Sequence, residues 1–288
     1  SIVRLHGAAE VVGIVVLIVR ETCWLADFVE RAEEAKLGAI RVLAPAPRVQ
    51  GMRCGRMAAR SSGRSPLETH TLRLFADTQF ASPYAMSAFV ALSEKNLGFE
   101  IVTVNLAVSE NQGADFASKS ITRRVPTLQH GSFFLSESTA ITEYLDETFP
   151  GTPLYPSDRQ SKAKARQVQA WLRSDLMPLR QERSTEVVFY GTKAAPLSAA
   201  AQEAAAKLCA AAEAWLPMGE EHLCGQWSLA DVDLALMLNR LALHGDPLPH
   251  RLAGYASRQW QRPTLQKWVQ RVRPPLEPMG PQQVGIFF

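Results

Sequence analysis

From Thr71 to Ala76 apolar and polar residues alternate, with Leu72, Leu74 and Ala76 on one face, which predicts a β-strand. A loop over 77–81 leads to Ser82–Pro83. Serine suits the N-cap there, and proline the first helical position, where its missing N–H costs nothing. The predicted helix runs to about Asn96, with Ala85, Ala88, Phe89 and Leu92 on one face, and Gly98 closes it. Phe99 to Val104 reads as a second strand, making a βαβ unit. Thr127–Leu128 begins a short strand, Gly131 turns it, and Ser132–Phe134 returns. A further helix opens within Leu135–Ile141, its apolar face Ile141, Tyr144, Leu145 and Phe149, and Pro150–Gly151 ends it.

Past a linker at Pro156–Asp158 the period becomes helical throughout. Arg159 to about Val188 reads as one long helix with Ala163, Val168, Trp171, Leu172 and Leu176 inward, kinked at Pro178. Ser198–Leu216 is an alanine-rich helix. Ser228 and Asp231, three residues apart, make a capping box for a buried helix over Leu229–Leu243, and Asp231 reads as structural. Trp260, Pro263, Leu265 and Trp268 place two short final helices, and 274–288 a loose tail.

The leading segment has a different character. Val11–Val19 is an apolar run too short for a bilayer, which needs roughly 20 residues, and reads as a strand. Arg4 gives it a signal-peptide look, but no small-x-small cleavage site follows. Thr22–Leu43 has helical spacing. Arg48 to Pro66 then holds five arginines and no acid among Gly, Ser and Ala. That stretch reads as a basic linker; the competing reading is a tether for nucleic acid or membrane, but no aromatic residue interleaves the arginines.

Charge sharpens this division. The 288 residues carry 31 Lys+Arg against 28 Asp+Glu, and residues 1–70 hold the entire excess. The neutral remainder offers no electrostatic footprint for nucleic acid. Cys23, Cys54, Cys209 and Cys224 form no CxxC pair and no zinc spacing with histidine, so neither a metal nor a disulfide framework is expected, and a reducing cytoplasm is.

Candidate chemistry sits at two helix starts. Ser82, at a helix N-terminus, is placed to stabilise an anion, as free N–H groups and the helix dipole favour negative charge there. Its plainer role is capping. Ser136–Glu137–Ser138–Thr139 offers hydroxyls and a carboxylate that either cap the next helix or hold an amino-acid zwitterion. Between them lies Arg123–Arg124–Val125–Pro126, where a proline opening a hairpin strand suits an edge or a cis bond.

Ser-Pro after the first strand, Arg-Val-Pro before the third and Glu-Ser-x-Ala-Ile on a later helix occur together, in order, over residues 71–272. This set resembles the soluble glutathione transferases. The resemblance implies a thioredoxin-like glutathione-binding domain (71–153) and an all-α domain (159–273), preceded by an unassigned extension (1–70) with its basic linker. It implies glutathione as co-substrate and no metal. Ser82 would hold the glutathione thiolate, Val125 would pair through its backbone with the cysteinyl unit, and Pro126 would be cis. Glu137 and Ser138 would bind the γ-glutamyl end. A small electrophile or hydroperoxide would lie near Tyr84, Trp171 and Arg180, where Arg180 either holds an acidic substrate or is a solvated surface residue. A homodimer without nucleic-acid or membrane partners is expected. Glutathione-dependent isomerase, dehalogenase and disulfide reductase, or a non-catalytic interaction module, are the alternatives. Cysteine-based reductase chemistry is disfavoured by serine at position 82.

Overall fold

A computed structural model describes residues 71–276. The expected strand (Val11–Val19) and helix (Thr22–Leu43) of the extension, its basic linker, and residues 277–288 of the tail lie outside the described residues.

Four strands form one sheet in the order β2-β1-β3-β4, where β1 is Leu72–Asp77, β2 Phe99–Val104, β3 Thr127–His130 and β4 Phe133–Ser136. β1 pairs parallel with β2 and antiparallel with β3, and β3 antiparallel with β4. Helix α1 (Pro83–Glu94) crosses between β1 and β2, and α3 (Ser138–Thr148) follows β4 and packs on α1. A 3-10 turn (Glu110–Gln112) and the short α2 (Ala114–Lys119) precede β3. Neither was foreseen, since six residues show no helical period.

The helical half comprises α4 (Arg159–Ser174), α5 (Met177–Glu182), α6 (Thr185–Tyr190), α7 (Ala199–Trp215), α8 (Leu229–Ala242), α9 (His250–Trp260) and α10 (Pro263–Val269). The architecture is thus a thioredoxin-like α/β domain followed by an all-α domain. Helix α8 is buried along nearly its whole length and packs on α1, α4 and α9. The Asp231 carboxylate anchors its start, accepting from the N–H groups of Ser228 and Leu223 and the Tyr255 hydroxyl, each at 2.8 Å.

Two expectations need correction. Alternation in β1 suggested one buried face, yet Phe75 is buried on the opposite side, with Val104, Leu106, Phe116 and Val125. A strand covered on both faces need not alternate. The long helix over 159–188 is three helices, and the first of its two breaks is not at Pro178. It falls at Asp175–Leu176, where Leu176 takes a φ of 63°. Pro178 lies in the first turn of α5, where a missing N–H leaves no bond unmade.

Candidate functional site

Strand register brings three segments to one end of the sheet. β1 ends at Asp77, and its Phe75 pairs with Thr127, so β3 begins beside the end of β1. Thr127 also pairs with Ser136, so β4 ends beside the start of β3. The loop to Ser82, the Val125–Pro126 peptide and Glu137–Ser138 therefore share that end.

Ser82 caps α1 and is fully buried. Its Oγ accepts the Ala85 N–H at 3.2 Å, and among the described residues its hydroxyl proton has no acceptor. One lone pair is thus committed to the helix while the proton remains available to an incoming anion. Beneath it lies a group the sequence reading missed. The Asp77 carboxylate accepts the N–H of Ala81 at 2.7 Å and of Ser82 at 3.1 Å. Burial raises the Asp77 carboxyl from 3.8 to about 6, against the pull of those N–H groups and of Arg273. From the other side Arg273 donates to the Phe80 carbonyl at 3.3 Å, and the Arg271 guanidinium stacks 4.3 Å from the Phe80 ring. Phe80 itself has a φ of 49°. The loop carrying Ser82 is fixed by the end of β1 and by residues just past α10.

The Val125–Pro126 peptide is cis, and among the described residues nothing pairs with the Val125 main chain. Glu137 stands before α3 with a φ of 72°, a conformation costing a non-glycine residue roughly 1–3 kcal/mol. Its exposed carboxylate has no hydrogen-bond partner among the described residues. Ser138 is buried, and its Oγ accepts from Arg173 Nε at 3.3 Å.

Arg173 joins this end of the sheet to the helical half. It also donates to Asp233 at 2.8 Å, and Asp233 accepts from Ser87 of α1 at 2.9 Å and Gln169 at 2.7 Å. Gln169 accepts from Tyr155, whose hydroxyl meets Thr142 of α3. Burial pushes the Tyr155 phenol well up, so it serves as a neutral donor. This buried polar chain could not be read from sequence, because its partners lie as far as 146 residues apart.

Of the three residues expected around a second substrate, the structure unites two. The Tyr84 hydroxyl accepts from Arg180, and both line a cleft with Pro83, Leu172, Arg173 and Met237. Arg180 is only 3% exposed and is not a surface residue. Trp171 points elsewhere: it donates to Asp175 at 2.9 Å and packs edge-on against Trp215 of α7, outside the residues lining the cleft. Position 171 lies one helical step from Leu172, so the two side chains diverge.

Residues 80–153 match the glutathione S-transferase N-terminal domain, and 158–272 the glutathione S-transferase C-terminal domain. A solved glutathione transferase homolog from Burkholderia gl BGR1 is 45% identical, with a TM-score of 0.57 over 69% of this chain and 96% of that one. This chain belongs to the glutathione transferase family. Two curated family members match at lower identity. Glutathione S-transferase 1 of Dianthus caryophyllus is 34% identical over 115 residues, 40% of this chain and 51% of its own length. Maleylacetoacetate isomerase of Rattus norvegicus is 32% identical over 102 residues, 35% and 47% respectively. The chain spans about half the length of such curated relatives. Within the transferase fold, Ser82, Val125 and Glu137–Ser138 are therefore the candidate site.

Proposed function

We propose that this chain binds glutathione at the sheet end formed by Ser82, Val125, Pro126, Glu137 and Ser138, and joins its sulfur to small electrophiles. The uncommitted hydroxyl proton of Ser82 at the N-terminus of α1 carries the reading. The Burkholderia homolog was solved with bound glutathione, which supports it. A free thiol has a pKa of about 8.5, and lowering it by two pH units requires about 2.7 kcal/mol of thiolate stabilisation. A charge-assisted hydrogen bond supplies roughly 1.5–3 kcal/mol and the helix terminus up to about 1. Ser82 is thus an electrostatic stabiliser, not a general base. The exposed Glu137 carboxylate and the start of α3 suit the amine and carboxylate of the γ-glutamyl unit. The thiolate displaces a leaving group from carbon; with a hydroperoxide it takes the terminal oxygen as a sulfenic acid, breaking the O–O bond and releasing the alcohol, and a second glutathione condenses with that sulfenic acid to give the disulfide and water.

Relatives named maleylacetoacetate isomerase support a second reading, a glutathione-dependent cis–trans isomerisation at this site. We further propose, from the likeness of the stretch Gln169–Pro178 to the enterobacterial transferase YfcF, that the first reading holds, in oxidative-stress defence and detoxification. The sparse cysteines favour a cytoplasmic protein, and the family resemblance implies a homodimer. Retention on immobilised glutathione tests the site, and a protein that flows through unretained refutes it. Parallel assays with a chloronitrobenzene, cumene hydroperoxide and maleylacetoacetate separate conjugation, peroxide reduction and isomerisation.

A further inference from the structure

Residues 78–81 join β1 to the Ser82 cap and are held from several directions. The Thr78 N–H donates to the Val104 carbonyl of β2 at 3.1 Å, and the Tyr190 hydroxyl of α6 donates to the Gln79 carbonyl at 3.1 Å. Arg273 donates to the Phe80 carbonyl. The N–H groups of Ala81 and Ser82, the last before the helix, both turn back to one side chain. Asp77 Oδ2 accepts the first at 2.7 Å and Oδ1 the second at 3.1 Å. In a capping box a Glu or Gln three residues past the cap would accept the cap's own N–H, but position 85 is alanine. Asp77 takes that part from the preceding strand. Two consecutive N–H groups call for two acceptor oxygens on one rigid group; a carboxylate has both, and an amide has one. Burial works against ionisation here and holds the carboxyl near 6, with Arg273 offsetting part of that effect. Acids so perturbed cluster at functional sites.

We propose that Asp77 is a positioning residue for the glutathione thiolate: by fixing the main chain at Ala81 and Ser82 it aims the Ser82 hydroxyl at the sulfur. The inference rests on the glutathione-transfer reading, which places the sulfur at Ser82. Asp77 is fully buried, so it acts through Ser82 and not on the ligand. A hydrogen bond weakens steeply as its donor angle departs from linear, so a small rotation of the cap lowers its hold on an anion. Charge supplies a test of sign. Acting through its field alone, an ionised Asp77 would oppose a nearby thiolate; acting through geometry, it favours one.

Thiolate absorbance of bound glutathione, titrated in the full chain for wild type, Asp77→Asn, Ser82→Ala and the double variant, tests this. Asp77→Asn should raise the thiolate pKa by about 0.5–1 pH unit, and by less than about 0.2 once residue 82 is alanine, because the two residues act as one unit. A merely structural role would lower stability and leave the thiolate pKa in place. An unmoved or lowered pKa overturns the inference, as does an equal rise in both backgrounds. One measurement needs no variant to fold: the Ala81 and Ser82 amides of the wild-type protein should resist hydrogen exchange, and rapid exchange at both overturns the inference. Failure of the wild-type protein to bind glutathione in calorimetry would refute the transfer reading and take the inference with it. Binding with a thiolate indifferent to Asp77 would refute the inference alone.

Discussion

Replacing Asp77 by asparagine probes the foundation under Ser82. The carboxyl titrates near 6 in the folded chain and at its ordinary 3.8 when exposed. Its folded value is the higher one. Its contribution to stability is therefore fully present below pH 3.8 and is lost as the pH rises through about 6. The whole gap is worth about 3 kcal/mol, of which about 2 kcal/mol falls between roughly pH 4.5 and pH 8. Asparagine never ionises. It keeps a carbonyl for one of the two N–H groups at Ala81 and Ser82, and the lost bond costs about 1 kcal/mol at every pH. Urea unfolding of both proteins across this range isolates Asp77 from other titrating groups. The stability of Asp77→Asn relative to wild type should rise by about 2 kcal/mol from acid to base, or roughly 4–8 °C in Tm for a chain of this size. A flat difference would show that burial does not perturb this carboxyl. A falling one would show that the two N–H groups and Arg273 outweigh burial, and that the ionised form holds the loop together.

Four further outcomes follow. Ser82→Ala should raise the pKa of enzyme-bound glutathione by about 1–2 units, read from thiolate absorbance; an unchanged titration removes Ser82 from the chemistry. Asp231→Ala strands the Ser228, Leu223 and Tyr255 donors and should cost about 3–5 kcal/mol in urea unfolding, with a loss under 1 contradicting its anchoring role. Pro178→Ala should change stability by less than about 1 kcal/mol, because the proline occupies the first turn of α5; a larger loss would mean it shapes the break. A chain beginning at Thr69 should keep wild-type glutathione affinity by calorimetry, and weaker binding would give the extension a part in the site.

What sequence could disclose here followed from the range of each interaction. Ser82, Pro83 and the Ser228–Asp231 cap are local arrangements, set by residues within a turn of one another, and their signatures are direct. Strand pairing added reach, since a hairpin at Gly131 fixes Glu137 beside Pro126. The break after Ser174 was hidden, because nothing in Asp175–Leu176 forbids helix; Asp175 accepts from Trp171, Leu176 and Lys207, and that last contact comes from α7. Asp77 looked like an ordinary loop residue, since alternation cannot reveal that its strand is covered on both faces. Arg180 could be read as either solvated or functional until Tyr84 of α1 and Arg240 of α8 were seen against it.

The hydrogen-bonded chain through Ser87, Asp233, Gln169 and Arg173 limits how transferase halves can be exchanged. A chimera joined at the 153–158 linker would inherit Asp233 from one parent and the residue at position 87 from another. If that residue brought no donor, the buried carboxylate would lose one of its three partners. If it were large and apolar, Arg173 would also lose the neighbour beside its second nitrogen. Compatibility between grafted halves is thus written in a few inward-facing polar positions, and recombination libraries built on this scaffold should carry positions 87, 169, 173 and 233 together.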